Sequence, residues 1–301
     1  MLRFDTAPTS LDCALLDPRQ SDRHHKAERR SPDCNRYHPM SVSLSGTYAP
    51  IPLQGKLALI TGATGGIGKA TARLFAARGV NLALHYFSQH DVATALVQEL
   101  RAVGVRVAAF QADLADFEAV RTLHTQIVEE LGHPDILYSN AAMAGTMLGI
   151  KAKIEDASMD EFEMCWRANA GGPFLLTKLC IPHMEKQCYG RIVFCSSIAT
   201  ATGGVLGPHY SSSKAALHGI MHWVAKQYSK KGITCNAVAP ALIANTVMFN
   251  KPTPAHRDLV PVGRFGQPEE VAQVVELLVT NSYMTDKIVT CDGGMLPSSL
   301  A

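Results

Sequence analysis

The sequence predicts an α/β protein: one doubly wound parallel sheet of about seven strands, with helices on both faces. Three observations carry this. From Lys56 onward, short aliphatic and β-branched runs alternate with longer amphipathic stretches, the alternation that parallel strands and crossover helices impose. The short runs are almost continuously apolar, as strands covered on both faces must be. Finally, 301 residues of 47% hydrophobic composition suffice for one sizeable core and would be cramped as two full domains.

Taken in order, the strands fall at 57–61, 81–85, 105–111, 136–139, 191–196, 234–239 and 287–290. Helices fill the gaps at 68–78, 91–103, 116–131, 159–185, 210–231 and 268–280, each placed by apolar residues recurring on one helical face. No internal repeat appears. Residues 1–50 differ: charges of both signs are scattered among prolines with no periodic apolar face, which predicts a disordered extension ahead of a domain over 51–301. Its Arg and Ser content resembles a mitochondrial leader, but Asp5, Asp12, Asp17, Asp22, Glu28 and Asp33 count against that. Met40 is an alternative start.

Charge and cysteine usage narrow the function classes. The formal net charge of +2, from 28 basic and 26 acidic residues, gives no global field for nucleic acid or an anionic membrane. No stretch reaches the roughly 18 apolar residues that a membrane span requires. The eight cysteines contain no C-x-x-C pair and sit mostly within apolar runs, so no zinc site is expected, and buried thiols in a soluble cytoplasmic protein are.

The first strand runs into Thr61-Gly62-Ala63-Thr64-Gly65-Gly66-Ile67-Gly68 and then a helix. Glycines there permit a tight turn and a close backbone approach to a pyrophosphate, while the helix N-terminus offers unpaired N–H groups. Such a turn makes the sheet one of the Rossmann type. At the catalytic end, Tyr210-Ser211-Ser212-Ser213-Lys214 places a phenol and an ammonium on one helix face, where the cation favours phenolate. Ser197 lies thirteen residues before Tyr210 at a strand end, with Ser196 as the competing hydroxyl. Asn169, followed by Gly171, Gly172 and Pro173, predicts a distorted helix with freed backbone groups.

The spacing T-G-x-x-x-G-x-G, with Asp113-Leu114, Asn140-Ala141 and Asn236-Ala237-Val238-Ala239-Pro240 in order, resembles the short-chain dehydrogenase/reductase family, 3-oxoacyl reductase-like members in particular. The resemblance covers roughly residues 53–295. It implies that Asn169, Ser197, Tyr210 and Lys214 are catalytic. It also implies that Gly62, Thr64, Gly66, Ile67, Gly68, Asp113, Leu114, Asn140, Tyr210, Lys214, Pro240 and Asn245 hold a nicotinamide dinucleotide. Asp113 would contact the adenine, and the helices around 159–185 and 210–231 would form a homodimer or homotetramer. Ala142 and Ala241 replace glycines of the family pattern, and Asn245 stands where a threonine is usual, with Thr246 as a substitute.

The end of the second strand, Leu84-His85-Tyr86-Phe87-Ser88, holds no carboxylate before Asp91. A carboxylate there would bind a ribose 2′-hydroxyl and repel a 2′-phosphate. Its absence favours NADP(H) over NAD(H), with His85 and Ser88 as polar contacts. The function expected is NADP(H)-dependent reduction of a ketone or oxoacyl group to an alcohol, or the reverse, with Tyr210 as general acid/base and no metal. The alternatives are an NAD-dependent secondary-alcohol or sugar dehydrogenase and a non-catalytic dinucleotide sensor. His218 and His222, four apart, read as core or interface residues rather than ligands. Met143, Met147, Ile198, Leu242, Met248 and Phe249 suggest a partly apolar substrate pocket.

Overall fold

The computed structural model describes residues 52–249 and 253–297. The expectations for residues 1–50, an extension, a leader or a start at Met40, lie outside the described residues.

The sheet has seven parallel strands. They are β1 (Leu57–Ile60), β2 (Asn81–Tyr86), β3 (Val107–Gln111), β4 (Ile136–Ser139), β5 (Gly190–Cys195), β6 (Ile233–Pro240) and β7 (Ile288–Cys291), laid side by side in the order 3-2-1-4-5-6-7. Leu59 pairs with Ala83 on one side and Leu137 on the other. The chain therefore winds outward from β1 in one direction and then from β4 in the other, and the crevice at that reversal lies beyond the strands' C-terminal ends.

Strand periodicity divides the apolar side chains between two cores. On one face Leu57, Leu59, Leu137, Ile192 and Phe194 pack with Leu123, Leu176 and Leu217, which come from α3 (Phe117–Glu130), α5 (Gly172–Lys186) and α7 (Pro208–Tyr228). On the other, Ala58, Ile60, Ile136, Tyr138 and Val193 pack with Phe75, Leu96 and Val275, from α1 (Gly66–Ala77), α2 (His90–Arg101) and α9 (Pro268–Thr280). Local signals fix the helix starts. Asp116 accepts the Glu118 and Ala119 amides at 2.9 and 3.3 Å to cap α3, and α9 opens on Pro268 behind a Gln267/Glu270 capping box.

The single helix expected over 159–185 is in fact α4 (Met159–Trp166), a π-helical turn over Arg167–Gly171, and then α5. The distortion expected after Asn169 is thus a widened turn that includes Asn169 itself, with Pro173 in the first turn of α5, where its missing N–H costs no helical bond. Short helices α6 (Ala199–Thr202) and α8 (Pro254–Asp258) lie in the connections after β5 and β6. Cys165, Cys180, Cys195, Cys235 and Cys291 are free thiols. Among the described residues, no helix is long and apolar enough to cross a membrane.

Phe75 is completely buried between α1 and α9, so Phe75→Ala should lower the unfolding free energy by about 3–5 kcal/mol. A denaturant titration monitored by circular dichroism checks this.

Candidate active site

The glycine turn sits in the crevice between β1 and β4. The Thr61 hydroxyl accepts the backbone amides of both Asn140 and Ala141 at 2.9 Å. The Asn140 side-chain amide returns two bonds, to the Thr61 and Gly62 carbonyls at 2.9 and 3.2 Å. Three of the turn's four glycines are sterically required. Gly62 has φ +63, and a Cβ there would lie 2.9 Å from the Ala141 backbone. A Cβ on Gly66 would lie 2.5 Å from the Asn245 carbonyl oxygen, and one on Gly68 2.3 Å from that of Gly62. Helix α1 starts at Gly65 without a side-chain cap, so the unpaired first-turn amides around Gly66, Ile67 and Gly68 face the crevice beside Thr64. That arrangement suits a pyrophosphate.

His85 corrects an expectation. It was read as a polar contact to the coenzyme ribose, but its side chain is only 2% exposed and both ring nitrogens are engaged inside the protein. Nδ1 accepts the Gly62 amide at 3.1 Å, and Nε2 faces the Ala112 carbonyl at 3.1 Å. The sheet is covered on both faces and β2 is buried without interruption from Leu82 to Tyr86, so His85 lies inside whichever face it takes. Ser88 and Phe87 are exposed at the strand end. Asp113 is exposed and closes a local turn by accepting the Ala115 amide at 2.8 Å, while Leu114 is buried against Gly172.

Pro240 ends β6, and its carbonyl accepts the Ile198 amide at 3.2 Å. Asn245 takes the left-handed conformation, φ +57, which asparagine tolerates better than most residues. Its side chain donates to Gln267 at 3.3 Å, so its backbone, rather than its amide, lies over the glycine turn. The Thr246 hydroxyl is likewise engaged, donating to the Ile243 carbonyl at 2.9 Å.

At the other end of the cleft, the two serines after β5 diverge. Ser196 is buried and its hydroxyl meets His218 Nε2 at 2.7 Å. Ser197 is partly exposed, accepts the Ala199 amide at 3.1 Å and lies beside the Tyr210 hydroxyl. His222 pairs with Asp286 at 2.5 Å. Lys214 is fully buried, donates to the Cys195 carbonyl at 2.7 Å and holds its Nζ 5.9 Å from the Tyr210 ring centre. An ammonium has three donors, so Lys214 keeps capacity for coenzyme hydroxyls. Burial pulls its pKa below the usual lysine value.

Burial also dominates at Tyr210. It pushes the phenol well above its ordinary value, the neighbouring Cys195 adds to the rise, and the Ser197 hydroxyl opposes it. The Tyr210–Lys214 spacing leads one to expect a lowered phenol pKa; in this arrangement burial raises it instead.

Asn169 is completely buried. Its carboxamide brackets the Met143 backbone, accepting from N–H at 2.7 Å and donating to C=O at 2.8 Å. It also donates to the Ser213 hydroxyl at 3.0 Å, which donates onward to the Tyr210 carbonyl at 2.8 Å. Asn169 thus positions the loop after β4 against the helix that carries Tyr210. Three residues of the site escaped the sequence reading. Thr61 and Ser213 lie inside the quoted motifs, but their hydroxyls are partnered only across the fold. His209, buried between Gly145 and Gly207 and bonded to the Ala144 carbonyl at 3.1 Å, gives no signal beyond preceding Tyr210.

A doubly wound sheet with an uncapped glycine turn at its switch point defines a dinucleotide-binding protein of the Rossmann type. Residues 56–256 match the family model of the short chain dehydrogenases, and the chain belongs to the short-chain dehydrogenase/reductase family, as an NAD(P)-dependent oxidoreductase. It is 36% identical over 251 residues to a 3-oxoacyl-[acyl-carrier-protein] reductase of Synechocystis, covering 81% of this chain and 98% of that protein. A reductase of the same name from Thermotoga maritima is 33% identical over 249 residues, 81% and 99% of the two chains. An L-rhamnose 1-dehydrogenase (NAD(P)(+)) of Sphingomonas is 32% identical over 253 residues, 81% and 97%.

Because the folded phenol is raised, the stability that protonated Tyr210 contributes is intact below the unfolded pKa of about 10 and is lost as pH rises beyond it toward the folded value. Up to about pH 10, native wild type and Tyr210→Phe should give the same tyrosinate difference absorbance. The difference of one tyrosine should appear only on unfolding.

Proposed function

We propose that this protein is an NADP(H)-dependent reductase that converts a ketone or oxoacyl group into a secondary alcohol, or runs the reverse reaction, with Tyr210 as general acid/base. The observation that carries this reading is the convergence of Ser197, Tyr210 and Lys214 on one cleft that ends at the glycine turn. A bound nicotinamide dinucleotide supplies or takes the hydride. The chain's own residues handle the proton. Tyr210 passes it between its phenolic oxygen and the substrate oxygen, and Ser197 donates a hydrogen bond to that oxygen and holds it in place. Lys214, with donors to spare, binds the nicotinamide ribose, and in the assembled complex its ammonium draws the phenol pKa down. Asn169 fixes the loop at Met143 and, with a water, completes a proton path to solvent.

The preference for NADP(H) rests on the lack of a carboxylate at the end of β2, with Ser88 and the backbone there as remaining polar groups; NAD(H) is the alternative. The oxoacyl class rests on the Synechocystis and Thermotoga relatives and on the apolar lining expected from Met143, Met147 and Met248. A sugar dehydrogenase is the second reading, drawn from the Sphingomonas relative. The protein acts as a cytoplasmic homodimer or homotetramer in this proposal, associating through α4, α5 and α7, where Trp223 and Phe174 are 67% and 53% exposed.

Titration with NADPH and NADH, followed by a screen of oxoacyl thioesters, diketones and aldose sugars with the tighter coenzyme, tests the reading. Oxidation of NADPH by an oxoacyl thioester is expected. Tyr210→Phe should lower kcat by about 10²–10⁴-fold with coenzyme affinity changed less than about threefold; equal rates in the two proteins would favour a non-catalytic sensor. Lys214→Met should weaken coenzyme binding as well as turnover.

A further inference from the structure

We propose that His85 is a positioning residue for the coenzyme: its imidazole is a strut that sets the shape of the glycine turn, so that the α1 amides face the pyrophosphate. This deepens the proposed function and rests on it for the identity of the ligand.

The ring's two bonds have fixed polarity. A backbone N–H can only donate, so the nitrogen facing Gly62 at 3.1 Å, Nδ1, carries the lone pair. A carbonyl can only accept, so the nitrogen facing Ala112 at 3.1 Å, Nε2, carries the proton. The partners thereby select one neutral tautomer without reference to any titration. Burial agrees, holding the imidazole neutral with a pKa pulled down to about 4.

The consequences lie in the turn. The His85 ring takes the Gly62 amide, and the His85 backbone carbonyl takes the next one, from Ala63, at 2.9 Å. Two successive N–H groups are drawn back into β2. Gly62 is held at φ +63, and the Gly65 amide closes onto the Gly62 carbonyl at 3.1 Å. What remains turned outward is the unpaired start of α1. At its other end the strut holds Ala112, the residue before Asp113. One side chain therefore spans the phosphate side and the adenine side of the expected coenzyme seat, and it does so from beneath, touching neither the ribose nor its 2′ substituent.

That position predicts a pattern distinct from a ribose contact. His85→Leu keeps an apolar side chain of similar reach but leaves the Gly62 amide unpaired. It should raise the dissociation constants of NADPH and NADH by about tenfold or more and by the same factor. His85→Asn places an oxygen where Nδ1 stood and should recover most of the loss. The defect should appear in coenzyme Kd and KM rather than in kcat. Fluorescence titration of the purified full chain with each coenzyme reads this directly. Unchanged affinity in His85→Leu, or a loss confined to NADPH, overturns the proposal; the latter would put His85 on the 2′-phosphate. Wild-type protein that binds neither coenzyme overturns the functional reading beneath it. Should His85→Leu fail to fold, imidazole ¹⁵N spectra of the wild type decide: a bare Nδ1 and a protonated Nε2 at neutral pH support the strut, and a protonated Nδ1 overturns it.

Discussion

The structure depends on one close crossing, where the chain leaving β1 passes the chain leaving β4. Thr61 offers a single hydroxyl oxygen to two amides of the opposing loop, and Asn140 answers with two bonds to Thr61 and Gly62. Gly62 can pass Ala141 only because it has no side chain. In a parallel sheet the two strands on either side of the reversal diverge at their C-terminal ends, and backbone groups there lose their ladder partners. Here those backbone groups satisfy one another across the gap, which keeps the crevice open to a ligand while the strand-end amides and carbonyls stay paired.

The chemistry of the cleft follows from a conflict between burial and charge. Tyr210 and Lys214 are both withdrawn from water, and desolvation moves the phenol up and the ammonium down, each toward its neutral form. Each is thus biased against the charge that proton exchange near neutrality needs. A polar ligand seated between them would supply the solvation that the protein withholds, so in the proposed mechanism activation of the phenol belongs to the assembled complex and not to the isolated pair.

Much of the fold was legible because its periodicities are strong. All seven strands and the other helices fall within a few residues of where apolar spacing puts them, the run over 159–185 being divided by the π-helical turn, and the switch-point turn is readable from its glycines. The family pattern also brought Ser197, Tyr210 and Lys214 forward, and the last two lie with the Lys214 ammonium 5.9 Å from the Tyr210 ring centre. What was not legible is direction. A sequence does not say how far the covering of a strand reaches: β2 stays buried through Tyr86, so His85, expected as a polar contact, faces the interior. Asn245 shows a second limit: a left-handed backbone turns its side chain toward Gln267, and local sequence gives little notice of that. The single-residue expansion of the helix at Asn169 was foreseen as a distortion, but its partners, Met143 and Ser213, lie 26 and 44 residues away.

The widened turn has a consequence that reaches beyond Asn169. Its last glycine, Gly171, would collide with the Phe117 ring at 2.7 Å if it carried a methyl group, and Gly172 would meet the Leu114 carbonyl at 2.5 Å. Arg167, at the start of the same turn, donates to the Ala115 carbonyl at 2.9 Å and lies over Phe117. The segment that follows Asp113 and the turn that presents Asn169 are therefore two sides of one interlocking seam. The two glycines are constrained in different ways: a smaller side chain at 117 would make room for a methyl group at 171, whereas the atom facing 172 is a backbone carbonyl that every residue carries, so no substitution at 114 can relieve that position.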